Sequence, residues 1–97
     1  MLPSMTYNLQ FEKRALKEWG KLGHPIREQL KKKLAERLLN PHVPASRLSG
    51  NQNRYKIKLR SSGYRLVYEV KDIEIILLVI AVGKRAGDEV YTIADNR

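Results

Sequence analysis

An apolar run near the C-terminus limits what this chain can fold into. Residues 73–82 read I-E-I-I-L-L-V-I-A-V, with Glu74 as the one charged residue. Side chains of a β-strand alternate between two faces, so a strand with this sequence is apolar on both of them. The run therefore predicts a strand from Glu74 to Val82 that lies in the middle of a sheet and not at its edge.

A basic hairpin is predicted just before this strand. Residues 55–65 read Y-K-I-K-L-R-S-S-G-Y-R. In a strand over Tyr55–Arg60, Lys56, Lys58 and Arg60 project to one face, and the apolar residues between them project to the other. The first face is wholly basic and the second wholly apolar.

The loop at Ser62 and Gly63 predicts how the two strands of the hairpin pair, if only these two residues form the turn. The second strand then covers Tyr64–Lys71. The expected opposed pairs are Arg60 with Arg65, Lys58 with Val67, Lys56 with Glu69, Leu59 with Leu66, and Ile57 with Tyr68. Like charges opposed across a sheet are destabilising, and four cations gathered on one face indicate either a functional surface or a solvated one, with both alternatives left open at this point.

The N-terminal half predicts one strand followed by two helices. Thr6–Phe11 alternates as a half-buried strand does. The expected buried positions of the first helix, from Glu12 to the glycines at 20 and 23, are Ala15, Leu16, Trp19 and Leu22. Pro25 opens the second helix, and Asn40-Pro41 ends it. Its apolar stripe is Ile26, Leu30, Leu34 and Leu38, and its opposite face carries Lys31, Lys32 and Lys33.

These elements predict an α+β fold of two layers, in which two N-terminal helices pack on a curved, mainly antiparallel four-stranded sheet. The basic face of the hairpin is expected to stay open. Residues 1–4 are expected to be a disordered extension, and residues 5–97 a single domain, because 97 residues support only one modest core.

Charge narrows the class of partner. Lys and Arg number 19 against 10 Asp and Glu, a formal net charge of +9. Such a chain favours a polyanion, and nucleic acid is a better match than a membrane surface, because the cations do not gather on one amphipathic helix. The absence of cysteine is compatible with a cytoplasmic location.

The sequence lacks the residue patterns of most kinds of catalytic site. The histidines at 24 and 42 lack the spacing of a metal site, no phosphate-binding glycine loop is present, and no metal or cofactor is expected. What remains is a set of cations and aromatics: Lys56, Lys58, Arg60, Tyr64, Arg65, Arg85 and Tyr91. This set suits RNA cleavage by the substrate's own 2′-hydroxyl, in which the enzyme supplies geometry, proton transfer and charge. A protein that binds nucleic acid without cutting it would have the same residues, and both possibilities stay open here.

Four segments carry a resemblance to a known family. They are F-E-K-R-A-L-K-E-W-x-K-L-G, R-E-Q-L-K-K-K-L, Y-K-I-K-L-R-S-S-G-Y-R-L-V-Y, and V-G-K-R with a following E-V-Y. Together they closely resemble the RelE toxins of bacterial toxin–antitoxin modules, over Met5 to Tyr91. The resemblance implies a RelE/ParE-like, microbial RNase-like fold. It also implies a ribosome-dependent endoribonuclease that cuts messenger RNA in the A site and leaves a 2′,3′-cyclic phosphate.

The resemblance also implies roles for single residues. Lys56 and Lys58 correspond to the lysines implicated as general base and in phosphate binding, Arg65 to the group that stabilises the transition state, Arg85 to the acid that protonates the leaving oxygen, and Tyr91 to the residue that stacks on or orients the RNA. The further RNA contacts expected are Arg60, Tyr64, Lys84, Lys31, Lys32 and Lys33. The implied partners are a RelB-like antitoxin, the 70S ribosome with its 16S RNA, and operator DNA only through the antitoxin.

Two departures and two alternatives accompany this interpretation. Six residues follow Tyr91, so the terminal helix that the cognate antitoxin often displaces or covers is expected to be short. Ser49-Gly50 stands where the most similar relatives carry a basic residue before glycine, which affects an expected ribosomal RNA contact. A ParE-like toxin of the same fold poisons DNA gyrase without cutting RNA. A general nucleic-acid-binding protein would use the charge alone, with affinity that falls steeply with salt.

Overall fold

The structure, a computed structural model, describes residues 6–50, 53–84 and 89–97. Its helices and strands follow in this order: β1 (Asn8–Phe11), α1 (Lys13–Gly20), α2 (His24–Leu39), a 3-10 turn (Pro44–Ser46), β2 (Arg54–Leu59), β3 (Tyr64–Lys71), β4 (Ile76–Lys84) and α3 (Glu89–Asp95). The predicted extension at residues 1–4 lies outside the described residues.

Strand β4 lies inside the sheet, as its apolar sequence predicts. The spatial order is β1-β4-β3-β2, with β1 parallel to β4 and the other neighbours antiparallel. Leu77 and Val79 are fully buried. The predicted α+β fold with a mainly antiparallel sheet is confirmed, although β4 begins at Ile76, because residues 72–75 form the turn that precedes it.

A β-bulge lets β4 contribute to two cores. The pairing steps from Val67 with Ala81 to Tyr68 with Val79, so Ile80 is an extra residue on β4. Ile80 and Ala81 consequently pack together on one face of the sheet, while Val79 packs on the helix-covered face. Such bulges locally change which way side chains point, and here the bulge supplies apolar surface to both faces.

The helix-covered core contains most of the predicted apolar stripe. Leu30 and Leu34 of α2 are buried, and Ala15 is fully buried under α1. Leu16, which was predicted to be buried, is 55% exposed. The reason is that α1 has only eight residues and contacts the sheet through Ala15 and Trp19, which are one helical turn apart, whereas Leu16 lies about 100° further round the helix.

The predicted pairing of the hairpin is wrong by two residues. Arg60–Gly63 form a four-residue connection in place of a two-residue loop, and the Gly63 N–H donates to the Leu59 carbonyl at 2.9 Å. Gly63 has a φ of 79°, a conformation that glycine adopts without steric cost. The turn therefore closes two residues earlier on β2. Because the slip is an even number of residues, every side chain keeps its predicted face.

The corrected pairs change the neighbours of the basic residues. Arg65 lies opposite Lys58 in place of Arg60, and Val67 lies opposite Lys56. The other pairs are Arg54 with Glu69, Tyr55 with Tyr68, Ile57 with Leu66, and Leu59 with Tyr64. Tyr55, Ile57 and Leu59 are buried, so the two-faced character of β2 is confirmed.

Helix α3 covers part of the sheet face that was predicted to stay open. Val90 and Ala94, four residues apart, pack with Val67, Ile80 and Ala81 in a second core. Residues i and i+4 share one helix face, and a helix of seven residues leaves little periodic signal in the sequence. A helix this short is therefore not evident from the sequence alone.

Two arginines fasten the C-terminal segment. Arg97 donates to both carboxylate oxygens of Glu18 on α1, at 2.9 and 3.0 Å, and to the carbonyl of Ile80 at 3.0 Å. Arg54 donates to the carbonyl of Ala94. The Arg97 side chain is only 9% exposed. Charge-assisted bonds of this kind are among the stronger polar contacts in proteins, so they fasten the C-terminal end of α3 to α1, β2 and β4.

None of the helices in the described ranges has the length and hydropathy that a bilayer crossing requires.

Candidate functional site

Two rows of side chains cross the sheet on the face that carries α3. In the first row, Lys58 of β2 lies opposite Arg65 of β3, which in turn lies opposite Gly83 of β4. In the next row, Lys56 lies opposite Val67. Directly opposed residues have Cβ atoms about 5 Å apart, so Lys58 and Arg65 are immediate neighbours. We refer to Lys56, Lys58, Arg65 and Tyr91 as the basic site.

The pairing leaves the lysines of this site without a carboxylate opposite them. Glu69, the one carboxylate of β3, lies one row further on, opposite Arg54. Arg54 Nε and Glu69 Oε1 are 2.9 Å apart, in an ion pair that is mostly buried. Glu69 is therefore neutralised by Arg54, whereas the residues directly opposite Lys56 and Lys58 on β3 are Val67 and Arg65, neither of which carries a negative charge.

Lys58 is electrostatically distinct within the basic site. The positive charge of Lys56 lowers the pKa of Lys58, and partial loss of water and the charges of Arg65 and Arg60 lower that pKa further. Its side chain is exposed at the surface. A lysine whose neutral form is favoured in this way can accept a proton closer to neutral pH than a free lysine can.

Tyr91 lies beside Lys56. The Lys56 Nζ is 5.9 Å from the centroid of the Tyr91 ring, within range of a cation–π contact. The ring is half-buried and packs against the second core. An open groove next to it is lined by residues of the 47–49 segment, by Lys56 and by α3. An aromatic face next to a cation suits an unpaired base and its phosphate.

Two polar atoms of the basic site have no hydrogen-bond partner among the described residues. They are Nε of Arg65 and the hydroxyl oxygen of Tyr91, and both are buried. Arg65 does use Nη1, which donates to the carbonyl of Tyr64 at 3.1 Å. Buried polar groups are nearly always paired, so two unpaired atoms in one small site are unusual among the described residues.

Gly83 allows α3 to approach the site. A Cβ atom at this position would lie 3.1 Å from Cγ2 of Val90, closer than most real contacts. We expect Gly83→Val to lift α3 and Tyr91 away from the sheet, at a cost of about 1–3 kcal/mol for overpacking. Hydrogen exchange should then show the amides of Val90–Asp95 losing protection while those of β3 keep it.

The matched control for that substitution is Gly20→Val, since nothing lies within 4 Å of a Cβ at Gly20. Equal protection of the α3 amides in the two variants would contradict the role of Gly83.

The remaining candidate residues do not all join the basic site. Arg60 is exposed in the turn and lines a second open groove with Arg37, Lys56 and Lys58. Tyr64 packs against the helix-covered core, on the opposite face of the sheet. Lys84 is exposed at the end of β4, paired with Tyr64. The three lysines of α2, Lys31, Lys32 and Lys33, are exposed in the helical layer. Arg85 lies outside the described residues.

Sequence reasoning did not single out Arg37 or Arg54. Both are half-buried arginines that bond to backbone carbonyls near the basic site. A signal for Arg37 was present, because it follows Leu34 by three residues and so lies near the buried stripe of α2. A cation at such a position usually has a buried partner.

The described residues contain no group of three histidine, aspartate or glutamate side chains that could hold a metal ion. His42 instead links two side chains of the fold. Its Nε2 lies 2.7 Å from Oδ1 of Asp72, and its Nδ1 lies 2.9 Å from the hydroxyl oxygen of Tyr55.

The fold is shared by solved bacterial toxins. A mutant of the E. coli toxin RelE in the free state is 57% identical, with a TM-score of 0.88, and the match covers 96% of this chain and 98% of that one. The toxin chain of the intact E. coli RelBE toxin–antitoxin complex is 59% identical, with a TM-score of 0.80, over 82% of this chain and 98% of that one. Fold and basic face together thus define a toxin-type α+β domain.

Sequence comparisons agree. The family described as "ParE toxin of type II toxin-antitoxin system, parDE" matches residues 9–89. The "mRNA interferase toxin RelE" of Escherichia coli is 58% identical over 93 residues, which cover 96% of this chain and 98% of that protein. The chain therefore belongs to the RelE/ParE family of toxins of type II toxin–antitoxin systems, and the resemblance found in its sequence is confirmed.

Proposed function

We propose that this chain is the toxin of a toxin–antitoxin system and an endoribonuclease that cuts messenger RNA in the ribosomal A site. The observation that carries the proposal is the row formed by Lys58 and Arg65, with Lys56 beside it and no carboxylate opposed to either lysine. The E. coli relative with 58% identity is named an mRNA interferase toxin, which supports the same activity.

In the proposed reaction the RNA supplies its own nucleophile. Lys58 in its neutral form takes the proton of the 2′-hydroxyl, and the 2′-oxygen attacks the adjacent phosphorus. The bond from phosphorus to the 5′-oxygen breaks, and that oxygen takes up a proton. The products are a 2′,3′-cyclic phosphate and a 5′-hydroxyl, so one proton is removed and one returned. Lys58 is assigned the role of base in this proposal because neighbouring cations lower its pKa.

The other residues of the basic site stabilise and orient the substrate. Arg65 offers the N–H groups that bind the phosphoryl oxygens as charge develops on them. Lys56 neutralises phosphate charge, and the ring of Tyr91 provides a surface on which a base stacks. The role of Arg85 as the proton donor to the 5′-oxygen rests on the resemblance alone.

The partners follow from the same proposal. The toxin acts on the 70S ribosome, contacts its 16S RNA and stops translation, which places it in the cytoplasm. A RelB-like antitoxin neutralises it by bringing carboxylates to the basic surface, and any operator DNA is reached through the antitoxin. The formal charge of +9 suits both an RNA and an acidic protein partner.

Primer extension on a message in a reconstituted translation system tests the proposal. We expect new ends in register with the codons when ribosomes translate the message, and none on the same RNA without ribosomes. Addition of the antitoxin should abolish the cuts. Cuts unrelated to the codon frame, or equal cutting of naked RNA, would overturn the proposal.

A gyrase assay run in parallel addresses the second toxin activity of this family. Trapped gyrase–DNA cleavage complexes with intact messages would assign the chain to the gyrase poisons instead. If the chain neither cuts messages nor traps gyrase, and its binding to nucleic acid weakens steeply with salt, it is a general nucleic-acid-binding protein.

A further inference from the structure

Arg37, in the last turn of α2, joins three parts of the fold beside the basic strand. Its Nη1 donates to the carbonyl of Lys56 at 3.3 Å and to the hydroxyl of Tyr68 at 2.8 Å, and its Nη2 donates to the hydroxyl of Ser46 at 3.2 Å. The guanidinium carbon also lies 5.7 Å from the centroid of the Tyr68 ring. One half-buried side chain thus connects α2 with β2, with β3 and with the 3-10 turn.

Tyr68 fixes the position of this guanidinium. Its side chain is fully buried, and its hydroxyl donates to the carbonyl of Pro41 at 2.7 Å while accepting from Arg37. The ring stacks on that of Tyr55, with centroids 5.5 Å apart. A buried hydroxyl with both bonds made has one orientation, so Arg37 rests on a rigid support.

The bond to Lys56 is made on the outer edge of β2. The N–H of Leu48 reaches the Arg54 carbonyl from outside the sheet, and carbonyls two residues apart along a strand point the same way. The Lys56 carbonyl therefore points away from β3 and toward Arg37. Lys56 and Lys58 carry like charges on one face of this strand, so their side chains repel each other, and the position of the backbone affects how far apart they lie.

We propose that Arg37 is a positioning residue of the cleavage site, which holds the β2 backbone at Lys56 and thereby keeps the Lys56 and Lys58 side chains next to each other. The proposal rests on the function proposed above. Arg37 acts through Lys56 and does not touch the reacting atoms. Its planar fork reaches three acceptors on separate elements from two nitrogens, a geometry that the single nitrogen of a lysine does not reproduce.

The first test measures the free protein and needs no RNA. Titration of the lysine side chains by NMR compares the native chain with Arg37→Lys, which keeps the charge. When the anchor is lost, repulsion moves the two lysines apart, so the pKa of Lys58 should rise toward the ordinary lysine value. Arg27→Lys makes the same chemical change elsewhere on α2 and should leave the Lys58 pKa unchanged.

The second test measures cleavage on the ribosome. With Arg37→Lys we expect the rate at saturating toxin to fall about tenfold, since a displacement of about 1 Å costs up to 10²-fold. The toxin concentration that gives half of that rate should stay within about twofold. Tyr68→Phe removes the support of Arg37 without changing any charge, and it should act in the same direction if Arg37→Lys does not fold.

The two measurements separate the possible outcomes. If Arg37→Lys raises the toxin concentration needed for half of the maximal rate and leaves the maximal rate unchanged, the proposal is overturned in favour of a direct phosphate contact by Arg37. An unchanged Lys58 pKa together with unchanged cleavage in both variants would reduce Arg37 to a packing role. If the native chain does not cut messages at all, the proposed function fails, while the titration still decides whether Arg37 sets the spacing of the lysines.

Discussion

Replacing Lys58 with alanine should slow cleavage of translated messages by about 10²–10⁴-fold, the range for loss of a general base. Lys58 is the lysine whose neutral form is favoured by Lys56, Arg65 and Arg60. The rate constant is measured by primer extension at saturating toxin, so that weaker binding does not enter it. Circular dichroism checks that the variant is folded.

Lys71→Ala is the matched control for Lys58→Ala. Lys71 lies on β3, six residues beyond Arg65, which is about 20 Å along the strand. Lys71→Ala removes the same positive charge as Lys58→Ala does, so a comparable loss of rate in both variants would contradict a specific role for Lys58.

The pH dependence gives an independent check on the same residue. A general base must be neutral, so the rate should rise with pH through the pKa of Lys58, at lower pH than for an ordinary lysine because that pKa is lowered. Lys56→Met removes the main cause of the lowering. The pKa of Lys58 then rises, and the midpoint of the pH–rate profile should move to higher pH. A midpoint that stays in place would show that Lys58 is not the titrating group.

Leu77→Ala should lower the free energy of unfolding by about 2–5 kcal/mol, the range for large-to-small substitutions in a core. Leu77 is fully buried in β4 and lies between Leu9 of β1 and Val70 of β3. A domain of this size has a total stability of about 5–15 kcal/mol, so the loss is a large fraction of it. Urea unfolding followed by circular dichroism measures it.

Ile73→Ala serves as the control, because Ile73 is 94% exposed in the turn before β4. Ile73→Ala should change the free energy of unfolding by no more than about 0.5 kcal/mol. Equal destabilisation by the two variants would contradict the placement of β4 at the centre of the core.

The two-faced character of β2 could be predicted because it is local. Alternation of Tyr55, Ile57 and Leu59 with Lys56 and Lys58 follows from the geometry of one strand, whatever its neighbours are. The central position of β4 could be predicted for a similar reason, since a strand that is apolar on both faces is unfavourable at an edge.

The pairing of β2 with β3 could not be predicted in the same way. A shift of two residues preserves every face, so the apolar pattern is equally satisfied by both pairings. Only the turn at Arg60–Gly63 decides between them. The consequence is chemical, because the pairing puts Glu69 next to Arg54 and leaves Lys56 without a neutralising partner across the sheet.

Contacts between residues far apart in the sequence could not be predicted either. Arg37 and Lys56 are 19 residues apart, and Arg97 and Glu18 are 79 apart. Helix α3 buries Val90 and Ala94 against a surface that exists only after β3 and β4 have paired. No local pattern encodes the partner of such a side chain.

The amino-acid sequence by itself determined the family, the α+β fold, the central strand and the cationic face, because each depends on local alternation or on residues in a recognisable order. The tertiary structure decided that neighbouring cations lower the pKa of Lys58, which arginine neutralises Glu69, and how α3 and Arg37 border the basic site. The physical reason is that electrostatic and packing energies depend on distances between elements, and only the pairing of strands and the docking of helices set those distances.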